Sequence, residues 1–205
     1  PKPQNPGILK IKQHIDANSI YIYIPNIISG IRILLIPVFI FFLLNSNYIL
    51  SLYIFIFMGF SDALDGFIAR QFKCESILGS YLDAIADKVM INISFCCLCF
   101  IHILPYYLFF LVFLRDICIF LGILRQDKFL KTHKIKPIFI SKLNTFLQIL
   151  LVIACLLFLN NMVSISLIED IMHAVILTTF FSLFEYVYSY RLIFQNKTIR
   201  YTSNL

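Results

Sequence analysis

Four aspartates set in strongly apolar sequence are the residues here best able to do chemistry: Asp62 and Asp65, then Asp83 and Asp87. The first pair is three positions apart and the second four, so on helices each pair projects from one face. A charged side chain inside a membrane helix costs about 3 kcal/mol on insertion scales, and a cost met four times points to function rather than packing. Four carboxylates at close range in a low dielectric repel one another and must be protonated, paired with cations or bound to metal. Metal is the most economical of these. Carboxylate oxygens select a hard ion, Mg²⁺, Mn²⁺ or Ca²⁺, and no His or Cys stands at ligand spacing to favour zinc. The purely structural alternative is an ion-pair network with Arg70, Lys88 and Arg115, in which three cations leave part of four charges unmatched.

The elements that must position these carboxylates are membrane helices. Of 205 residues, 60% are hydrophobic and only 14% charged, with 22 Phe and no Trp. Mean hydropathy is +0.87. A soluble domain of this size could not hide so many large apolar side chains without wide greasy patches. Taking about 20 apolar residues per bilayer crossing, the chain divides into six spans. They run from Ile27 to Leu44, Tyr48 to Ala69, Leu78 to Ile103, Tyr106 to Leu124, Lys142 to Leu159 and Ile168 to Phe194. The turn from Arg70 to Ile77 makes the second and third spans antiparallel neighbours and brings the two Asp pairs into one pocket. Gly66, Ala69 and Gly79 would let backbones or a ligand approach closely there.

Orientation follows from Lys and Arg, which keep short loops on the cytoplasmic side. Lys2, Lys10 and Lys12 precede the first span, Arg70 and Lys73 follow the second, and Arg125, Lys128, Lys131, Lys134 and Lys136 follow the fourth. Arg191, Lys197 and Arg200 close the chain, and the three opposite loops carry neither Lys nor Arg. Both termini are expected to be cytoplasmic. Residues 1–24 lack the features of a removable signal peptide and are expected to lie on the membrane surface. The net charge of +6 sits between apolar runs, not on a polar domain with exposed aromatics, which points to anionic lipid and excludes nucleic acid. Six Cys, at 74, 96, 97, 99, 118 and 155, fall nearly all within apolar segments, so Cys96 and Cys99 read as a packed helix face, not a metal or redox pair.

Read together, Asp62, Asp65, Gly66, Ala69, Arg70, Gly79, Asp83 and Asp87 spell D-x2-D-G-x2-A-R-x8-G-x3-D-x3-D. This pattern resembles in full the signature of the CDP-alcohol phosphatidyltransferase family, and Pro25, Asn26, Ser29, Arg32 and Pro37 are similar to its first-helix pattern. The resemblance implies an all-α integral membrane domain over residues 25–205, with six transmembrane helices and both termini cytoplasmic. It also implies that Asp62, Asp65, Asp83 and Asp87 bind divalent cations, Mg²⁺ or Mn²⁺, with Asp87 the general base. Gly66, Ala69 and Arg70, with Asp62 and Gly79, form the implied site for the cytidine nucleotide. The implied reaction moves a phosphatidyl group from CDP-diacylglycerol to an alcohol and releases CMP.

Within the family, the stretch from Lys136 to Gln148, with Ser141, Lys142 and Asn144, resembles cardiolipin synthases, as do Leu64 to Lys88 and the region of Thr178, Thr179, Ser189 and Tyr190. That implies phosphatidylglycerol as acceptor. Glycerol 3-phosphate, the acceptor of phosphatidylglycerophosphate synthases, is the alternative. Either carries a phosphate, and Arg115, Lys136, Ser141 and Lys142 are the candidates to hold it, although Arg115 could instead pair with Asp116 or Asp83. The family also implies a homodimer among membrane lipids, in a bacterial inner membrane or an organelle's, with the active site on the cytoplasmic side. A cation transporter or channel would also use buried carboxylates, but the inverted repeats and broken helices that would mark one are not seen. A non-enzymatic scaffold would have no use for the cluster.

Overall fold

The computed structural model describes the backbone of residues 30–72, 77–129 and 139–202, and the side chains of residues 30–61, 85–121 and 139–186. Within these the chain is all helical. The helices are α1 (Gly30–Leu44), α2 (Tyr48–Phe72), α3 (Ile77–Phe100), α4 (Tyr106–Phe129), α5 (Phe139–Leu159) and α6 (Ile165–Thr202). The expected surface segment 1–24, together with Pro25, Asn26, Ser29, Lys73 and Lys136, lies outside the described residues.

The helix boundaries follow the apolar spans with two kinds of departure. The second, fourth and sixth helices extend beyond their apolar windows, to Phe72, Phe129 and Thr202, because backbone hydrogen bonding can continue into polar sequence once a helix is nucleated. The third stops at Phe100 and not at Ile103, for a reason visible in the turn. Ile103 N donates to Leu98 O at 3.0 Å, and His102 has φ 62°. The same closure ends α1, where Asn47 N donates to Phe42 O at 2.9 Å after Ser46 at φ 59°. It also ends α5, where Met162 N donates to Leu157 O at 3.0 Å after Asn161 at φ 58°. Each is a bond back across the last turn, set by one left-handed residue, that satisfies carbonyls the helix end would otherwise leave unpaired.

Cα packing divides the chain into two units, residues 1–93 and 94–205, with the boundary inside α3. In the first, Ile36, Phe39 and Leu43 of α1, Leu52, Phe55 and Met58 of α2, and Ala86, Met90 and Ile91 of α3 are buried. The rings of Phe39 and Phe55 meet at 5.8 Å between centroids, joining α1 to α2. In the second unit α6 packs against both α4 and α5. The buried face of α5 is Asn144, Gln148, Leu151, Val152 and Cys155, the stripe a 3.6-residue period gives.

Both units bury several polar side chains within their apolar cores and expose large apolar ones. Leu34, Phe41 and Phe60 of the first unit are exposed, as are Phe110, Phe146 and Phe184 of the second. Arg32 and Ser51, and in the second unit Arg115, Asn144, Gln148 and Thr179, are fully buried. Water would reverse that arrangement, whereas a hydrocarbon solvent favours it. Phe139–Leu159 and Ile165–Tyr186 are long and apolar enough to cross a membrane, and Gly30–Leu44 and Tyr48–Ser61 are shorter apolar helices.

Candidate functional site

The second half of α2 carries Asp62, Asp65, Gly66, Ala69 and Arg70, and α3 carries Gly79, Asp83 and Asp87. At about 100° per residue, Asp62 and Asp65 lie within about 60° of each other around α2, and Asp83 and Asp87 within about 40° around α3. The helical spacing read from the sequence is therefore the spacing of the backbone. The side chains of Asp62, Asp65, Gly66, Ala69, Arg70, Gly79 and Asp83 lie outside the described residues, so the cluster is described through Asp87.

Asp87 is half-buried, its side chain 32% exposed, and Arg32 Nη1 donates to its Oδ1 at 2.6 Å. Arg32 sits on α1 with its side chain fully buried. An ionised donor on an ionised acceptor at this separation is a strong, directional bond. Carboxylate oxygen is the ligand type that Mg²⁺ or Mn²⁺ takes, and Oδ1 of Asp87 already accepts from Arg32. The sequence reading placed Arg32 only in a first-helix pattern and did not pair it with Asp87. The signal was a lone cation in an apolar span, which needs a partner but does not name one.

A second polar group lies in the other unit, around Arg115 of α4. The guanidinium, fully buried, donates from Nη1 to Asp116 Oδ1 at 2.8 Å and from Nη2 to Ser141 Oγ at 2.6 Å. Nη2 also donates to Ser182 Oγ at 2.9 Å. Three helices thus converge on one cation, and among the described residues its carboxylate partner is Asp116. Lys142 is exposed and Lys136 lies outside the described residues. One turn along α5 from Ser141, the buried Asn144 Oδ1 lies 2.9 Å from Thr178 Oγ1 and 3.0 Å from Thr179 Oγ1. Ser182 was not identifiable from sequence, since a serine in a membrane helix is ordinary and only the α4–α6 packing brings it to Arg115. Cys96 is exposed, so it is not part of a packed face, whereas Cys99 is buried with Sγ 3.6 Å from Pro105 O.

The family model for CDP-alcohol phosphatidyltransferase matches residues 22–183, an interval that contains every position of the Asp-rich pattern and Arg115, Ser141 and Ser182. The chain belongs to the CDP-alcohol phosphatidyltransferase family. Among family members it is similar to the cardiolipin synthase (CMP-forming) of Rattus norvegicus, 36% identical over 149 residues, covering 65% of this chain and 49% of that protein. It is also similar to the CDP-diacylglycerol--glycerol-3-phosphate 3-phosphatidyltransferase of Aquifex aeolicus, 37% identical over 101 residues, covering 48% of this chain and 57% of the relative. The enzyme of that same name from Blochmanniella floridana is 32% identical over 174 residues, covering 81% of this chain and 90% of the relative. The chain spans about half the length of the rat and human cardiolipin synthases it matches. Relatives named cardiolipin synthase and relatives named for glycerol 3-phosphate are therefore both represented.

Proposed function

We propose that this chain transfers the phosphatidyl group of CDP-diacylglycerol to phosphatidylglycerol, forming cardiolipin and CMP. The observation that carries the reading is the complete Asp-rich pattern inside the family match, with its one described carboxylate, Asp87, held on a fixed bearing by a buried arginine. The acceptor hydroxyl oxygen forms a bond to the phosphorus that bears the diacylglycerol. The bond from that phosphorus to the bridging oxygen breaks, CMP leaves with the electron pair, and the hydroxyl proton passes to Asp87. Asp62, Asp65, Asp83 and Asp87 would hold Mg²⁺ or Mn²⁺, which when bound neutralises the diphosphate and polarises the phosphorus. Gly66, Ala69 and Arg70, with Gly79, receive the cytidine nucleotide, Arg70 adding fixed positive charge. Lys136 and Lys142 receive the acceptor phosphate, whereas Arg115 and Ser141 are engaged with each other inside the second unit.

The chain acts as a six-span membrane protein with both termini and the active site on the cytoplasmic side, as a homodimer, in a bacterial inner membrane or that of an organelle. The basic loops support this sidedness, and the many exposed large apolar side chains support the bilayer. A second reading, with glycerol 3-phosphate as acceptor and phosphatidylglycerophosphate as product, is favoured by the extent of the match to the Blochmanniella enzyme. Both are tested by incubating detergent-solubilised protein with CDP-diacylglycerol and Mn²⁺ or Mg²⁺, with phosphatidylglycerol and glycerol 3-phosphate in separate tubes. Mass spectrometry of the lipids decides. Cardiolipin in the first tube supports the first reading, phosphatidylglycerophosphate in the second supports the other, and CMP release in neither overturns both.

A further inference from the structure

A buried amide with nothing to bond to needs a reason. Gln148 stands fully buried on α5, and among the described residues neither its Oε1 nor its Nε2 has a hydrogen-bond partner. Turning the amide over repairs nothing, because both atoms are unmet. One turn back, Asn144 Nδ2 is also unmet, although Asn144 Oδ1 meets the hydroxyls of Thr178 and Thr179 on α6. Residues four apart on a helix stand about 5–6 Å apart at Cβ, and side chains tilt toward the helix N-terminus, so Gln148 leans toward Asn144. The stripe beyond them, Leu151, Val152 and Cys155, is apolar. An amide left unpaired in such surroundings lowers stability, and a leucine of similar volume would remove that cost. Packing therefore does not account for Gln148, whereas a ligand that brings its own hydrogen-bonding groups does.

The unmet atoms define the ligand: two donor nitrogens and one acceptor oxygen, all neutral. An ionised phosphate brings no donor for Oε1, and an ammonium brings no acceptor for either nitrogen. A hydroxyl brings both. It donates to Gln148 Oε1 and accepts from Asn144 Nδ2, while an oxygen on the adjoining carbon accepts from Gln148 Nε2. We propose that Gln148 and Asn144 bind a hydroxyl of a polyol, which in the transferase reading, on which this assignment rests, is the secondary hydroxyl of the acceptor's glycerol. Phosphatidylglycerol and glycerol 3-phosphate both carry that group, between the phosphate ester and the hydroxyl that attacks, so the site serves either acceptor. The polar part of the stripe lies toward Phe139, the end of α5 that also carries Lys142.

The test measures CMP release by the parent and by Gln148→Leu with each acceptor and with its counterpart lacking the secondary hydroxyl, phosphatidyl-1,3-propanediol and 3-hydroxypropyl phosphate. Whichever acceptor is turned over identifies the source of the hydroxyl. For it the parent is expected to prefer the hydroxyl-bearing form by about 10–100-fold in kcat/KM, and Gln148→Leu by less than about threefold. KM for CDP-diacylglycerol is expected to stay within about twofold. An equal loss on both forms, which a merely structural role would give, overturns the proposal. So does the absence of a preference in the parent, or a preference that survives the substitution. Gln148→Met takes the place of the leucine variant if that one does not fold. If the parent releases no CMP with any acceptor, the transferase reading fails, and binding decides the site. The unfolding midpoint of the parent is then expected to rise more with the hydroxyl-bearing form than with its counterpart, and that of Gln148→Leu equally with both; equal rises in the parent overturn the assignment.

Discussion

Arg115 on α4 and Ser141 on α5 are joined by a 2.6 Å hydrogen bond from Nη2 to Oγ, and the same guanidinium takes Ser182 of α6 and its neighbour Asp116. One cation thereby ties three helices of the second unit at a point where hydrocarbon would otherwise meet polar groups. Arg115→Met takes the cation away from the buried Asp116 carboxylate and from both hydroxyls. The expected cost is about 3–5 kcal/mol, read as a drop in the midpoint of thermal unfolding followed by size-exclusion chromatography in detergent. Arg115→Lys is expected to recover less than half, because an ammonium cannot reproduce three fixed donor directions.

Asn144 and Gln148 stand one turn apart on the buried face of α5, yet their circumstances differ. Asn144 Oδ1 meets two threonine hydroxyls of α6, whereas neither amide atom of Gln148 has a hydrogen-bond partner among the described residues. Asn144→Leu is expected to destabilise by about 1 kcal/mol. The hydroxyls it leaves still reach the backbone, Thr179 Oγ1 donating to Val175 O at 2.7 Å. Gln148→Leu, similar in volume, is expected to be neutral or stabilising by about 1–2 kcal/mol. Opposite signs in one unfolding series check the contrast, and a clear loss of stability for Gln148→Leu would contradict it.

Asp87→Asn keeps the shape of the side chain and removes its capacity to take a proton. CMP release is expected to fall on the order of 10²–10⁴-fold with an unchanged elution profile. Chelation of the parent is expected to abolish turnover, with Mg²⁺ or Mn²⁺ restoring it and Zn²⁺ failing to. Each is read by the same CMP assay.

The left-handed residues at the three helix ends give a stability prediction separate from the active site. Ser46 adopts φ 59°, a conformation that costs a side-chain-bearing residue about 1 kcal/mol and glycine nothing. Ser46→Gly is expected to raise stability by about 0.5 kcal/mol after the added backbone entropy of the unfolded chain is deducted. Asn161, of a type that tolerates this region, is expected to gain little from the same change. A lower unfolding midpoint for Ser46→Gly would remove the capping account.

Sequence alone determined where the helices are and what chemistry the carboxylates suit. Apolar runs of bilayer length dictate helix because no other open structure satisfies the backbone in hydrocarbon, and Asp62, Asp65, Asp83 and Asp87 declare themselves by the cost of placing them there. Their spacing on each helix is fixed by the 3.6-residue period, which is local and therefore written in the chain. The left-handed caps were less legible, since Ser46 is not a residue whose type announces a positive φ. What only the tertiary structure decided was partnership. Arg32 could have answered any carboxylate, and Ser182 carried no mark at all. Which long side chain meets which partner depends on the rotation of each helix about its axis. Packing between distant segments sets that rotation; here it turned Arg32 onto Asp87, and Arg115 onto Asp116, Ser141 and Ser182.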